Sequence, residues 1–179
     1  MARIIYWDLE TTGLNPFHDQ IIEIAAVDNQ GNTFESLVSL EPGVVLSAKV
    51  TELTGITTEM LTGQPSISAV LSRFLTFITG CDYLIGHNSI RFDNLFLKSA
   101  LRRAGFTFTT SLHLDTMLLC QYYYPNIYSF SLGSLCKYFS VKHEQAHRAM
   151  GDVTATKKLF ESVILKKCRN LKSLHDIID

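Results

Sequence analysis

Net charge is what this chain most lacks. Sixteen Lys and Arg stand against 17 Asp and Glu, a formal net charge of −1. No global field draws it to nucleic acid or to a membrane surface, so any polyanion must be held by a local patch or by bound cations. Cysteine is scarce, and Cys81, Cys120, Cys136 and Cys168 form no C-x-x-C pair. That spacing argues against zinc and for reduced thiols in an intracellular protein, cytoplasmic or nuclear. No apolar run approaches the length of a membrane span. The first apolar run is too short, and too soon broken by acids, to be a signal peptide. Repeats, low-complexity stretches and linkers are missing as well. The expectation is a single domain over residues 1–179, with 46% hydrophobic content to fill its core.

What is present is organised around Ile4-Ile5-Tyr6-Trp7-Asp8-Leu9-Glu10-Thr11-Thr12-Gly13-Leu14. The apolar run reads as a buried strand, and Asp8 and Glu10 break it just before Gly13. Side chains two apart on a strand share a face. Two carboxylates side by side raise one another's pKa unless a cation compensates them. An arbitrary Asp-x-Glu is more often a strand ending in solvated acids; the rest of the chain is what argues otherwise here.

After a turn at Asn15-Pro16-Phe17-His18-Asp19, Ile21 to Val27 reads as a second buried strand. Asp28-Asn29-Gln30-Gly31-Asn32 is hairpin punctuation, and Thr33 to Leu40 returns as a third strand, an antiparallel meander. Two short helical pieces follow around Thr51–Gly55 and Thr57–Leu61. Ser66 caps a helix with Val70, Leu71, Phe74, Leu75 and Ile78 on one stripe. A fourth strand covers Asp82 to Asn88, a helix runs through Phe96, Leu97 and Leu101 to Gly105, and a fifth strand lies around Leu112 to Leu114. Helices follow through Met117–Leu119, from Ser131, and from Ala149 through Ile164, the last of the chain's expected helices. Strands first, then alternation, predicts an α/β fold: a mixed five-stranded sheet flanked by helices.

Asp93 follows the fourth strand, and Asp152 opens the last helix. If the first and fourth strands are parallel neighbours, their C-terminal ends share the crevice where open α/β sheets do chemistry. Four carboxylates there form a hard oxygen set, suited to Mg²⁺ or Mn²⁺. Two such ions about 3.5–4 Å apart would clamp the attacking and leaving oxygens of a phosphodiester. His147 precedes Asp152 by five residues, which places it on the loop before the helix while Asp152 sits in the first turn. Alone it is an exposed loop histidine; beside the acids it is suited to take a proton from an attacking water near neutrality.

The set Asp8-Leu9-Glu10-Thr11-Thr12-Gly13-Leu14, His87-Asn88-Ser89-Ile90-Arg91-Phe92-Asp93 and His147-Arg148-Ala149-Met150-Gly151-Asp152 resembles the three motifs of the DEDDh 3′→5′ exonucleases, which share the ribonuclease H-like fold. Ile21-Ile22-Glu23-Ile24-Ala25 and Leu53-Thr54-Gly55-Ile56-Thr57 are similar to secondary signatures of the same family. The resemblance covers about Ile4 to Phe160. It implies Asp8, Glu10, Asp93 and Asp152 as ligands of two Mg²⁺ ions (Mn²⁺ substituting) and His147 as general base. It implies substrate contacts from Thr11, Thr12, Leu14, Leu53, His87, Asn88 and Phe92, although core packing explains Leu53 and Phe92 equally well. The implied reaction is hydrolysis from the 3′ end of DNA, single strands preferred, releasing nucleoside 5′-monophosphates. Four residues separate Asn88 from Asp93, one more than in polymerase proofreading subunits, which leans towards stand-alone DNA exonucleases.

Other residues have plainer accounts. Asp115 caps the following helix, and Glu23, in a buried strand, needs a backbone or basic partner. Tyr122, Tyr123, Tyr124, Tyr128 and Phe130 suit base stacking or packing alike. Lys98, Arg102 and Arg103, like Lys157, Lys158, Lys166 and Lys167, read first as solvated faces. Two other functions compete: an RNA 3′-trimming exonuclease, and a non-catalytic nucleic-acid-binding or adaptor module on the same fold. The second would be marked by loss of an acid or of the histidine, and none is lost. The partner is a nucleic acid with a free 3′ end, DNA ahead of RNA. A homodimer is compatible with the sequence, which does not decide it.

Overall fold

The computed structural model describes residues 2–107, 112–168 and 170–178. Strands β1 (Ile4–Thr11), β2 (Ile21–Asp28), β3 (Thr33–Leu37), β4 (Tyr83–Gly86) and β5 (Leu112–Asp115) form one sheet in the order β3-β2-β1-β4-β5. The meander β1-β2-β3 is antiparallel, whereas β4 and β5 join as parallel strands beyond β1. The expected parallel pairing of β1 with β4 is present, with Ile4 opposite Tyr83 and Tyr6 opposite Ile85. β3 stops at Leu37, three residues short of its expected end.

Helices cover both faces. α1 (Ala48–Thr54), α2 (Thr58–Leu61) and α3 (Ile67–Ile78) precede β4. α4 (Asp93–Ala104), α5 (Thr116–Tyr123), α6 (Leu132–Tyr138), α7 (Ala149–Leu159, running on as a π-helical turn Phe160–Ile164) and α8 (Leu171–Ile178) complete the chain. Ser47, Thr57, Ser66 and Ser131 each accept a backbone N–H as helix N-caps, the role their short hydroxyls favour. The helix α8 was not expected from the sequence. Its buried Leu174 packs into the core, and Asn170 Oδ1 accepts the Ser173 N–H at 3.0 Å in the manner of a cap.

Alternation along β1 divides the core in two. Ile5, Trp7 and Leu9 pack with Phe74 of α3 and with Phe96, Leu97 and Leu101 of α4. Ile4 and Tyr6 point the other way, onto Val153 and Leu159 of α7 and onto Phe160, whose ring meets Tyr6 edge-on at 5.9 Å. Truncating a fully buried ring such as Trp7 or Phe160 typically costs about 3–5 kcal/mol. The same period of two puts Asp8 and Glu10 on the α7 face. The strand that anchors both cores thus aims its two acids at the helix that carries Asp152. Cys120, Cys136 and Cys168 are free thiols. Among the described residues no helix is long and apolar enough to cross a membrane.

Candidate active site

Asp8, Glu10 and Asp152 each offer an oxygen, and these oxygens lie within 4.8 Å of one another. Asp93 is outside that group of three. It is buried, and its Oδ1 accepts the Leu9 N–H at 3.2 Å, tying α4 to β1 between the two strand acids. Its charge still reaches Asp8.

The acids are electrostatically uncomfortable. Desolvation, then the charges of Asp93, Asp152, Glu10 and Glu23, hold Asp8 well above the usual carboxylate range. Glu10 is pushed up to about 8 by desolvation and by Asp152, Glu23 and Asp93, with Arg148 pulling the other way. Burial lifts Asp93 to about 7 against the hydrogen bonds it accepts, with Asp115 and Asp152 adding to the rise. Such a crowd of like charges lacks a counter-charge.

The cation nearest to hand is already committed. Glu23 is fully buried on β2, opposite Glu10 in the β1–β2 register. Arg148 Nη2 donates to Glu23 Oε1 at 2.6 Å and its Nε donates to both oxygens at 3.2 and 3.3 Å; the Ala149 N–H adds a bond at 2.9 Å. Glu23 therefore has the basic partner that burial demands, and the pair fixes the start of α7. Three hard oxygens within one ion's reach, at typical metal–oxygen lengths of about 2.0–2.6 Å, fit a divalent cation.

The loop before α7 brings in two histidines. His147 and Gln145 adopt the left-handed region, at φ 64 and 51, a conformation that concentrates at functional sites for residues other than glycine. The loop can lie on α7 because residue 151 is glycine: a Cβ there would collide with the carbonyls of Gln145 and Glu144. His147 has an exposed side chain, and its backbone N–H donates to Asp152 Oδ1 at 3.3 Å. His143, which the motif reading passed over, places Nε2 2.6 Å from the same oxygen. Only its nearness to Asp152 in sequence could have suggested it.

Leu14, Leu53, Phe92, Thr11 and Thr12 line one groove of about 430 Å³ together with Glu10. Leu14 is 83% exposed and Leu53 52%, so core packing does not account for either. Phe92 rests against Phe96 at 4.9 Å and faces both core and groove. The two threonine hydroxyls shape the wall: Thr11 Oγ1 donates to the Gly13 carbonyl at 2.7 Å, and Thr12 Oγ1 accepts the Gln20 N–H and meets Asp19.

His87 stands apart from the groove. Its Nε2 donates to the Phe130 carbonyl at 3.0 Å, Nδ1 meets the Thr116 hydroxyl at 2.9 Å, and burial lowers its pKa. Both ring nitrogens are engaged within the protein. Asn88, at φ 59, gives its backbone N–H to Asp115. Asp115 caps α5 as expected, through Met117 and Leu118, and also accepts from Asn88 and Ile90, so it pins the segment leading to Asp93.

The exonuclease family model RNase_T matches residues 5–160. The chain is 37% identical over 169 residues to the DNA polymerase III PolC-type protein of Caldanaerobacter subterraneus, which covers 92% of this chain and 12% of that protein. It is 37% identical over 180 residues to the PolC-type protein of Listeria welshimeri, again with 12% of the relative covered. Among solved structures, E. coli exonuclease I in complex with a dT13 oligonucleotide superposes with a TM-score of 0.79 at 21% identity, over 93% of this chain and 42% of that one. Exonuclease X in complex with 5′ overhanging duplex DNA gives 0.74 at 25% identity, over the full length of both chains.

Proposed function

The chain belongs to the RNase_T exonuclease family, and from that premise we propose that it is a 3′→5′ exonuclease acting on DNA ends inside the cell. In this reading residues 1–179 are one exonuclease module. Single-stranded 3′ ends are preferred, and nucleoside 5′-monophosphates are released one at a time. One observation carries the reading: Glu10, a member of the acid group Asp8, Glu10 and Asp152, also lines the groove walled by Leu14, Leu53 and Phe92. A terminal nucleotide seated there has its 5′ phosphate facing the acids. The similarity to PolC-type DNA polymerases supports DNA over RNA.

Asp8, Glu10 and Asp152, with Asp93 beside them, would hold two Mg²⁺ ions, or Mn²⁺, which neutralise phosphate charge and polarise the phosphorus centre. The chain's own residues do the rest. Leu14 and Leu53 grip the terminal base and Phe92 packs beneath it, while Thr11 and Thr12 keep the wall rigid next to the 3′-OH. His147, on its strained loop, takes the proton from a water whose oxygen attacks phosphorus. The bond from phosphorus to the 3′ oxygen of the penultimate nucleotide breaks, and that oxygen gains a proton to become the new 3′ end. Splaying the last nucleotide out costs less in a single strand than in a duplex.

A panel of single-stranded DNA, duplex DNA and RNA, labelled at either end and incubated with Mg²⁺ or Mn²⁺, tests this. A 5′-labelled single strand of DNA should shorten stepwise. Release of the 5′ nucleotide first, or cutting within a circle, contradicts it.

A further inference from the structure

The groove that lies against Leu14, Leu53 and Phe92 is lined by one charged side chain besides Glu10, and it is a cation, Lys49. Lys49 belongs to α1, as do Val50, Leu53 and Thr54 beside it, and Ser47 is the helix cap. Lys49 and Leu53 are four apart, hence neighbours on one face of that helix, about 6 Å along its axis. Lys49 is exposed, and among the described residues no carboxylate pairs with its ammonium.

An exposed lysine is by default a solvated one. What sets Lys49 apart is that the other side-chain donors of the groove are spent inside the protein. Thr11 Oγ1 donates to the Gly13 carbonyl and Thr12 Oγ1 to Asp19. Thr54 Oγ1 donates to the Val50 carbonyl at 2.9 Å and accepts the Ile56 N–H at 3.1 Å. Ser47 Oγ accepts the Val50 N–H as the cap of α1, which leaves it only a hydroxyl proton. The rest of the lining side chains are apolar: Leu9, Leu14, Val50, Leu53 and Phe92. A base seated among them meets carbon on its faces, and selection among bases falls to the few polar groups that remain. Lys49 is the charged donor of that set.

We propose that Lys49 selects the terminal base: its ammonium donates to the carbonyl at C6 of guanine or C4 of thymine, and these ends are removed in preference to adenine and cytosine. The proposal rests on the exonuclease reading, which seats that base against Leu53. In that pose the phosphate meets the acids of β1 and the base reaches to α1, with the edge farthest from its sugar towards Lys49. The four bases differ at this edge. Guanine and thymine carry a carbonyl acceptor there, whereas adenine and cytosine carry an amino donor. An ammonium has three donors and no acceptor, so it pairs with the carbonyl and sets donor against donor at the amino group. The C2 carbonyl of the pyrimidines adjoins the sugar and is common to thymine and cytosine, so it gives no discrimination.

The test compares single strands of DNA that are identical except for the 3′-terminal base, ending in guanine, adenine, thymine, cytosine or hypoxanthine, by kcat/KM for release of that first nucleotide. Guanine should exceed adenine, and thymine cytosine, by about fivefold, the low end of what one good base contact gives. Comparing purine with purine and pyrimidine with pyrimidine cancels ring size and stacking. Hypoxanthine, which has the C6 carbonyl where adenine has the amino group, should follow guanine. Lys49→Met, which keeps the apolar stem, should abolish the spread, and Lys49→Arg should retain it. A wild-type protein indifferent to the terminal base, or a spread that survives Lys49→Met, overturns the proposal. So does a loss in Lys49→Met that is equal for every base, which would put the ammonium on sugar or phosphate. No release from any of these ends with Mg²⁺ or Mn²⁺ present sinks the exonuclease reading instead.

Discussion

His143 Nε2 sits 2.6 Å from Asp152 Oδ1, the oxygen that also receives the backbone N–H of His147. The two histidines thus address one carboxylate in different ways. His143 touches it with its ring, and 12% of its side chain is exposed. His147 touches it only through the backbone and leaves its ring in solvent. Their roles should separate on mutation. His147→Ala should cut turnover by about 10²–10⁴ and leave half-saturation by Mg²⁺ in place. His143→Ala should weaken metal affinity by about 10–100-fold, as loss of a ligand's hydrogen-bond partner does, with turnover recovering at high metal. Metal titrations of both variants decide it; identical effects on the two parameters would show the histidines to be interchangeable.

Glu23 and Arg148 make a structural prediction. A fully buried carboxylate with its guanidinium removed is an uncompensated charge, which typically costs 3–5 kcal/mol. Arg148 is 34% exposed at its side chain, so solvent softens the loss, and Arg148→Ala should destabilise by about 2–3 kcal/mol. Adding Glu23→Gln should recover part of it. Denaturant melts of the single and double variants measure this. A double variant less stable than Arg148→Ala would mean that the buried charge is not the cause.

Most of this arrangement was legible in sequence, for physical reasons. Period-two alternation along Ile4–Glu10 fixed which face the acids take, and apolar runs with short turns fixed the meander. The helix N-caps at Ser66 and Ser131 stood where short hydroxyls precede apolar stripes. Other contacts were not legible, because they depend on separation in three dimensions. Glu23 needed a basic partner, but nothing local says that it lies 125 residues away. His143 joins the site only because Gly151 lets the loop settle on α7, a close approach invisible to periodicity. Asn170 as cap and Leu174 as anchor were too short a signal to mark α8. His87 fits a motif, yet its ring is spent on Phe130 and Thr116. The one-residue lengthening of the second motif leaned towards stand-alone enzymes, whereas the higher identities are to PolC-type proteins.

Leu53 offers a clean separation of binding from folding. It is half exposed, on α1 above the groove. Leu53→Ala should change stability by no more than about 0.5 kcal/mol, as exposed positions do, while raising KM for single-stranded DNA several-fold. Phe92→Ala should raise KM and also lower stability, because its ring packs on Phe96. Thermal melts beside steady-state kinetics read both. An unaltered KM in Leu53→Ala would take the groove away from the terminal nucleotide.

The raised acids predict how metal, protons and stability are linked. Glu10 near 8 and Asp93 near 7 are carboxylates whose folded pKa exceeds the unfolded value. Between the unfolded carboxylate range and about 8, the metal-free folded state binds more protons than the unfolded state, so stability falls as pH rises. A chelator-treated protein should therefore melt lower at pH 8 than at pH 6. A divalent ion supplies the missing counter-charge, so it must displace those protons on binding. Calorimetry near pH 7 in two buffers of different ionisation enthalpy should show release of at least about one proton, and affinity should tighten by about tenfold or more from pH 6 to pH 7. Metal should raise the melting temperature more at pH 8 than at pH 6. Replacing Glu10 with Gln should flatten both dependences, since it removes a carboxylate held protonated near neutrality. Metal affinity independent of pH, with no proton released, would mean that the acids are already ionised in the metal-free protein, and the case for a charge-starved cation site would fall.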